Sequence, residues 1–158
     1  MSMLSKTTEY ALRAIVYIAI NNEGGKKVGI KELSQELELP SPFMGKILQD
    51  LVRKGVIASM KGPHGGFYLH RPASEITILE VVNTIDGLEA FKKCGMGMKK
   101  CSDKHPCPLH NDIKAYRDHL LGVFNKKNIQ DLVDSIKSGK FFITNVPEDQ
   151  VKILNPLL

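Results

Sequence analysis

A glycine-rich turn between two β-prone runs most restricts the folds open to this chain of 158 residues. The runs span residues 56–60 and 67–70, and the turn at residues 61–66 reads Lys-Gly-Pro-His-Gly-Gly. This pattern predicts a short hairpin, because β-prone runs flank residues that favour a turn. The remaining sequence has helical periodicity, so the chain is predicted to be mainly α with a small β-hairpin.

Three amphipathic segments precede the hairpin and are predicted to be helices. Apolar residues recur at three- and four-residue steps across residues 5–22 and 30–37, and again after residue 41. We expect the hydroxyl of Ser41 to cap the third helix, with Pro42 at the first helical position. Gly55 supplies the left-handed residue that would end this helix.

The second and third segments, joined by a tight turn, predict a helix-turn-helix. Lys46 and Arg53 lie off the apolar stripe of the third helix, as expected of a surface that meets DNA. The alternative is a generic three-helix core with a solvated face. Helices followed by a basic hairpin favour a winged helix and DNA binding. The charge distribution also favours DNA binding, since residues 1–71 contain ten Lys and Arg but only six Asp and Glu.

The C-terminal half is predicted to contain a dimerisation helix at residues 108–127. It follows a short helix that opens with a Thr77-x-x-Glu80 capping-box pattern and closes at Gly87. Apolar side chains in the longer helix are spaced as in a heptad seam; they are Leu109, Ile113, Tyr116, Leu120 and Val123. Burial within one subunit is the alternative. An intersubunit role is favoured, because two half-sites on DNA are usually read by two-fold related subunits. A last short helix is predicted at about residues 128–137.

The three cysteines of the chain, Cys94, Cys101 and Cys107, lie within fourteen residues. The segment between them is too polar to be core, and its glycines allow three sulfurs to turn toward one point. Nearby lysines favour thiolates. Structural zinc sites usually contain cysteines two to four residues apart, whereas the looser Cys-x6-Cys-x5-Cys-x2-His pattern, ending at His110, suits an iron–sulfur cluster better. A metal-free thiol sensor and coincidence are the alternatives.

The hairpin sequence at residues 61–69 resembles the Arg/Lys-Gly-Pro-x-Gly-Gly-Tyr wing of the Rrf-two family of bacterial winged-helix transcriptional regulators. Residues 8–13, Thr-Glu-Tyr-Ala-Leu-Arg, are similar to the first helix of that family. The resemblance covers about residues 3–135 and implies a homodimer that binds a pseudo-palindromic operator in double-stranded DNA. It implies that the start of the third helix enters the major groove and the hairpin the minor groove. With Arg53 added from the charged face, the expected DNA-contacting residues are Ser41, Pro42, Phe43, Lys46, Arg53, Lys61, His64 and Gly65.

The resemblance also extends to the cysteine segment. The IscR-, NsrR- and RirA-like members carry three cysteines in this loop as ligands of an iron–sulfur cluster, which implies the same role for the three cysteines here. His110 stands where IscR-like members place a ligating histidine, and Glu9 where NsrR-like members place a carboxylate donated by the other subunit. His105 is a third candidate. The first cysteine spacing is six residues, where those relatives commonly have five, so both 2Fe-2S and 4Fe-4S stay open.

These features divide the chain into four predicted parts. A winged helix-turn-helix DNA-binding domain is expected at residues 1–87, and a cysteine-bearing cluster or sensor loop at 88–107. A dimerisation helix with a following short helix is expected at 108–138, and a C-terminal tail at 139–158.

We expect a homodimeric, sequence-specific transcriptional regulator, a repressor, whose iron–sulfur cluster senses iron, redox state or nitric oxide. An enzyme is not expected, because the sequence has no nucleotide-binding glycine motif, Cys-x-x-Cys pair or obvious catalytic triad. An iron–sulfur electron carrier without DNA binding and a zinc- or thiol-based winged-helix regulator are the alternatives. No apolar run approaches the roughly 18 residues of a membrane span, and the N-terminus lacks the order of a secretion signal. A soluble, cytoplasmic protein with no membrane partner is therefore expected.

Overall fold

The structure is a computed structural model that describes residues 3–144. Within these residues it contains six α-helices and one two-stranded antiparallel hairpin, which confirms the predicted winged-helix class. The elements are α1 (Lys6–Asn22), α2 (Ile30–Glu36), α3 (Ser41–Arg53), β1 (Ala58–Met60), β2 (Gly66–Tyr68), α4 (Ile78–Ile85), α5 (His110–Lys126) and α6 (Ile129–Lys137). The predicted C-terminal tail lies outside the described residues beyond residue 144.

Helix α1 forms the centre of the main core, because it packs against α3, α4 and α6. Its fully buried face includes Ile15 and Ile18, and α3 adds Leu48 and Leu51. Apolar positions at three- and four-residue steps place these side chains on one stripe of each helix, as the sequence predicts. Helix α6 follows α5 in the chain, yet it returns to this core and packs against α1.

The start of α3 differs from the prediction, and the assignment of Ser41 as its cap is wrong. Pro40 occupies the cap position in an extended conformation, and its carbonyl accepts the amide of Met44 at 3.1 Å. The helical hydrogen-bond ladder therefore begins one residue earlier, and Ser41 and Pro42 are its first two residues. No side chain caps this helix. Its end is confirmed, since Gly55 has a φ of +75° and follows the last turn.

The hairpin after α3 is tied to the segment that connects α1 and α2. Ala58 pairs with Tyr68 and Met60 with Gly66, and Phe67 exchanges backbone hydrogen bonds of 2.8 and 3.0 Å with Val28. Gly66 has a φ of +141°, and a Cβ there would lie 2.9 Å from the Val28 carbonyl oxygen. A glycine is therefore required at this position by the fold itself.

The N-termini of helices α4 and α5 differ from those predicted from the sequence. Thr77 caps α4 by accepting the amide of Glu80 at 3.0 Å, but the Glu80 carboxylate binds Arg71, so only half of the predicted capping box forms. Helix α5 begins at His110 rather than at residue 108. The His110 amide donates to the Cys107 carbonyl at 2.9 Å, which makes the preceding residues a turn.

Candidate DNA-binding surface and metal centre

Helix α3 presents a polar face to solvent while its apolar face anchors it in the core. Met44, Ile47, Leu48 and Leu51 are buried on one side. The predicted contact residues at the start of the helix all lie on the other side, and the Phe43 side chain is 64% exposed; they are Ser41, Pro42, Phe43 and Lys46. The fold thus leaves this end of α3 free to enter a groove of DNA.

Arg53 lies on the last turn of α3 and forms an ion pair with Asp50 one turn earlier. An exposed pair of this kind contributes roughly 0–1 kcal/mol, so a phosphate can replace the carboxylate at small cost. Arg53 and Lys61 line the same groove of about 410 Å³ between α3 and the hairpin. The structure therefore brings together two predicted DNA-contacting cations from different elements.

The tip of the hairpin exposes Lys61 and His64, whereas Gly65 is half-buried. A Cβ on Gly65 would lie 2.1 Å from the Met60 carbonyl oxygen, so the turn itself requires this glycine. Lys27 lies over the ring of Tyr68, with its Nζ 5.5 Å from the ring centroid. The sequence analysis missed this cation at the base of the hairpin, because its neighbour lies 41 positions away along the chain.

The three cysteine sulfurs converge, as the sequence predicts. All three Sγ atoms lie within 4.8 Å of one another, and those of Cys94 and Cys107 are 3.6 Å apart. Backbone amides point at the sulfurs, since Met96 N–H donates to Cys94 at 3.4 Å and Cys107 N–H to Cys101 at 3.5 Å. Gly97, with a φ of +74°, allows the loop to turn back on itself.

His110 lies beside the three sulfurs, with its Nδ1 3.1 Å from the Sγ of Cys101. Its other ring nitrogen, Nε2, lies 2.9 Å from a carboxylate oxygen of Asp103, and Lys114 holds both oxygens of that carboxylate at 2.8 Å. Metal-ligating histidines usually have this arrangement, in which a carboxylate fixes the ring and leaves the opposite nitrogen for the metal. The sequence analysis did not identify Asp103 or Lys114.

The polar contacts around the sulfurs change the acidity of the loop. The backbone amide of Met98 is the main cause that lowers the pKa of Cys94 to about 7. The Cys107 amide lowers the pKa of Cys101, but partial desolvation and the neighbouring thiols outweigh it, so the pKa is raised. Lys114, followed by His110, lowers the pKa of Asp103 to about 2. Near neutral pH, Cys94 is therefore divided between thiol and thiolate, whereas Asp103 is a carboxylate.

The two other predicted ligands lie apart from this donor set. His105 is exposed in the loop, and within the described residues none of the sulfur contacts involves it. Glu9 lies in the first turn of α1, where its carboxylate pairs with Lys6 at 2.8 Å. It is not part of the group of donor atoms around the three sulfurs of its own subunit.

The donor set fits a thiolate-bound metal centre. Two sulfurs bound to one tetrahedral metal at about 2.3 Å would be separated by roughly 3.8 Å, close to the observed 3.6 Å between Cys94 and Cys107. Three thiolates with one imidazole are ligands typical of iron–sulfur and zinc centres. Cys94, Cys101, Cys107 and His110 are thus the residues that would hold such a group.

An exposed recognition helix, a tied hairpin and helical packing around α1 define this protein as a winged-helix transcriptional regulator. The family model for Rrf2, described as iron-dependent transcriptional regulator, matches residues 4–135. The chain therefore belongs to the Rrf2 family, as the wing sequence predicted. Within residues 3–144, no helix is both long and apolar enough to cross a membrane.

Individual relatives agree with this family. The chain is 30% identical over 134 residues to an HTH-type transcriptional regulator of Aquifex aeolicus (strain VF5), which covers 84% of this chain and 92% of that protein. It is 26% identical over 153 residues to IscR of Escherichia coli O9:H4 (strain HS), with 94% and 93% covered. The fold is similar to that of CymR, the global cysteine regulator of B. subtilis, with a TM-score of 0.70, 20% identity, and 85% and 98% covered.

Proposed function

We propose that the protein is a homodimeric, sequence-specific repressor that senses iron, redox state or nitric oxide through an iron–sulfur cluster. The proposal rests on one observation: three sulfurs converge in one loop, and a carboxylate-fixed imidazole at the start of α5 lies beside one of them. The proposed ligands are Cys94, Cys101, Cys107 and His110, with Glu9 of the partner subunit as the alternative to His110. When bound, such a cluster supplies chemistry that depends on iron supply and oxidation state. The similarity to IscR supports a cluster in this position.

The proposed dimer uses the exposed face of α5. None of the 17 residues of this helix is buried, and the side chains of Leu109 and Tyr116 are 46% and 55% exposed. Both belong to the predicted heptad seam, of which Leu120 packs against the cluster of Ile78, Val82 and Phe91 while Leu109 and Tyr116 stay exposed within residues 3–144. A second copy of α5 would cover this face and relate two winged helices by a two-fold axis.

The proposed DNA contacts follow from the exposed cations and the fold. Lys46, near the start of α3, would contact bases or phosphates in the major groove, and Arg53 and Lys61 would contact phosphates beside it. His64 and Gly65 at the hairpin tip would approach the minor groove. A dimer then reads a pseudo-palindromic operator. Because the chromosome is the proposed target, we place the protein in the cytoplasm.

A contact between α1 and α4 offers a route from the cysteine loop to the DNA-binding surface. Asp86, at the end of α4, accepts hydrogen bonds from the hydroxyl and the amide of Ser5, the cap of α1, the amide at 3.0 Å. The loop at residues 88–107 begins directly after this contact. We propose that cluster occupancy alters the position of this junction and thereby the spacing of the two recognition helices.

Anaerobic reconstitution tests the cofactor and the sensor together. We expect a brown protein with iron and acid-labile sulfide, and different operator affinities for the cluster-bound and cluster-free forms. Equal affinities at one salt concentration would overturn the sensor proposal while leaving the cluster intact. A fixed salt concentration matters because contacts with phosphates make affinity strongly salt-dependent.

A zinc-bound regulator is the second candidate, and the sulfur spacing favours it. The Sγ atoms of Cys94 and Cys107, 3.6 Å apart, are spaced as two ligands of one tetrahedral ion would be, and Cys101 and His110 would supply the other two. The DNA-binding mode would be the same. Bound zinc without sulfide in a colourless protein would select this candidate, whereas iron with sulfide would exclude it.

Lys46→Ala tests the DNA-binding surface. We expect about tenfold weaker operator binding and a salt slope reduced by about one, because one phosphate or base contact is lost. The matched control is Lys126→Ala, which removes the same charge from the last turn of α5. Equal affinities of the two variants, with both dimers intact, would remove Lys46 from the proposed surface.

A further inference from the structure

Arg117, on α5, lies close to the cysteine loop. Together with Cys94, Cys101, Cys107 and His110, it lines one small cavity. Its Nη1 donates to the carbonyl of Lys93 at 3.0 Å, which holds the guanidinium against the residue that precedes Cys94. Neither the family motif nor the cysteine pattern points to this arginine.

One donor of this guanidinium has no acceptor. The Nε atom of Arg117 is buried, and within residues 3–144 it has no hydrogen-bond partner. Arg117 also forms no ion pair with the described carboxylates. A buried charged donor without a partner is costly, so native proteins usually provide an acceptor.

Two carboxylates, Asp103 and Asp118, line an adjoining cavity with Arg117, and within the described residues neither forms an ion pair with it. Asp103 already binds Lys114 and His110. Lys93, which lines the cysteine cavity, is a cation. The electron-rich side chains in the cysteine cavity are the three sulfurs and the ring of His110, whose two nitrogens already contact Cys101 and Asp103. The sulfurs are therefore the acceptors that remain, and thiolates that hold a metal accept hydrogen bonds.

We propose that Arg117 is a positioning residue for the cluster, one that donates a hydrogen bond from Nε to a sulfur of the centre. This inference rests on the proposed function, because it concerns the same cysteine site. Hydrogen bonds and positive charge close to a cluster favour its more negative, reduced form and raise its reduction potential. Arg117 would therefore set the redox level at which the regulator responds.

Redox titration of the anaerobically reconstituted protein tests this role, with the absorption spectrum as readout. Arg117→Gln removes the charge and the Nε donor, and we expect the oxidised-to-reduced ratio at a fixed potential to rise about tenfold, equivalent to 59 mV for a one-electron couple. Arg117→Lys keeps the charge but loses the Nε–H, so an intermediate shift is expected.

Lys104→Gln is the matched control, since it removes one positive charge from an exposed position in the same loop. We expect it to change the ratio by less than about twofold, because solvent screens an exposed charge. Circular dichroism checks the fold of each variant. If Arg117→Gln fails to fold, the oxidised-to-reduced ratio of Arg117→Lys is compared with that of Lys104→Gln instead.

The possible outcomes separate the two proposals. A wild-type chain that assembles no cluster overturns both of them. A wild-type cluster whose potential is the same in Arg117→Gln, Arg117→Lys and Lys104→Gln overturns the role of Arg117 alone. A folded Arg117→Gln variant that loses its cluster, while Lys104→Gln keeps it, supports the role of Arg117 at the centre.

Discussion

The winged helix and the cysteine-bearing arm differ in how far each is completed by its own side chains. The winged helix surrounds α1 with buried residues from α3 and α6, including Leu51 and Ile129, both fully buried. In the arm, at residues 88–126, helix α5 has no buried residue, and the loop before it is mostly exposed. The first region is stabilised by a large hydrophobic core, whereas the second contributes few buried side chains of its own.

The arm has only a small core of its own. Ile78 and Val82 of α4, with Phe91 from the loop, pack against one side of α5. Phe91 and Phe124 form an edge-to-face pair with centroids 6.3 Å apart. This contact holds α5 near the body of the protein but leaves the seam of Leu109 and Tyr116 exposed. A partner helix and a bound metal are the two additions that would complete it.

The largest loss of stability is expected for a substitution in the hydrophobic core of the winged helix. Leu51→Ala is expected to reduce the free energy of unfolding by about 2–5 kcal/mol, because it leaves a cavity in a fully buried site. Chemical denaturation measures this loss. Leu109→Ala in the arm serves as the control. We expect a smaller loss there, and one that varies with protein concentration, because in the proposed dimer this exposed side chain would contact the partner rather than the core of its own subunit. If both variants lose the same unfolding free energy at every protein concentration, the two regions do not differ in the way described.

The next effect concerns the exposed seam. The double variant Leu109→Asp with Tyr116→Asp is expected to weaken the dimer at least about tenfold, or about 1.4 kcal/mol, because carboxylates would be buried in an apolar interface. Analytical ultracentrifugation measures the dissociation constant. Asn111→Asp with Asn125→Asp is the matched control, since it adds the same charge at exposed positions of the same helix. If the control dissociates equally, general charge repulsion is the cause and the seam is not the interface.

A smaller effect is expected at a helical glycine of the winged helix. Gly45→Ala should stabilise the protein by about 0.5–1 kcal/mol, because alanine restricts the unfolded chain and favours the helix. Its Cβ would lie 3.5 Å from Cδ1 of Ile30, an ordinary contact. Thermal unfolding measures the change. Gly122→Ala on α5 is the counterpart, with no atom within 4 Å of its Cβ. Destabilisation by Gly45→Ala would show that α3 has no room there.

The smallest effect on folding is expected at Cys101→Ser. We expect complete loss of the cluster but a change in unfolding free energy within about 0.5 kcal/mol of the cluster-free wild type, because the loop adds little apolar core. Iron analysis and chemical denaturation measure the two quantities. Ser102→Ala is the neighbouring control and should keep the cluster. Global unfolding of Cys101→Ser would show instead that the loop is structural.

Local signals explain why the main elements could be predicted from the sequence. The apolar stripes of α1 and α3 and the left-handed Gly55 depend on residues a few positions apart, so their periodicity is visible without a structure. The predictions that were wrong concern helix starts, where competing local contacts decide. At α3, the Pro40 carbonyl accepts the first helical hydrogen bond, so Ser41 is inside the helix rather than its cap. At α4, the Glu80 carboxylate binds Arg71 instead of completing the capping box.

The candidate site was predictable in part for the same reason. The cysteines and His110 lie close together in the chain, so their spacing already indicated a metal centre. The spacing of residues along the chain does not predict that Asp103 pairs with His110 or that Arg117 lies near the cysteines. Loops of this length can bring many different residues near a given sulfur. Only the folded backbone selects among them.

By itself the sequence determined the order of helices and hairpin, the charged face of α3 and the cysteine motif, because each depends on residues that are close together in the chain. Tertiary structure decided which distant parts meet: the return of α6 to α1, the groove shared by Arg53 and Lys61, and the small cavity that Arg117 shares with the cysteines. Such contacts depend on how the hydrophobic core closes around α1, and that closure involves the whole chain rather than any local pattern.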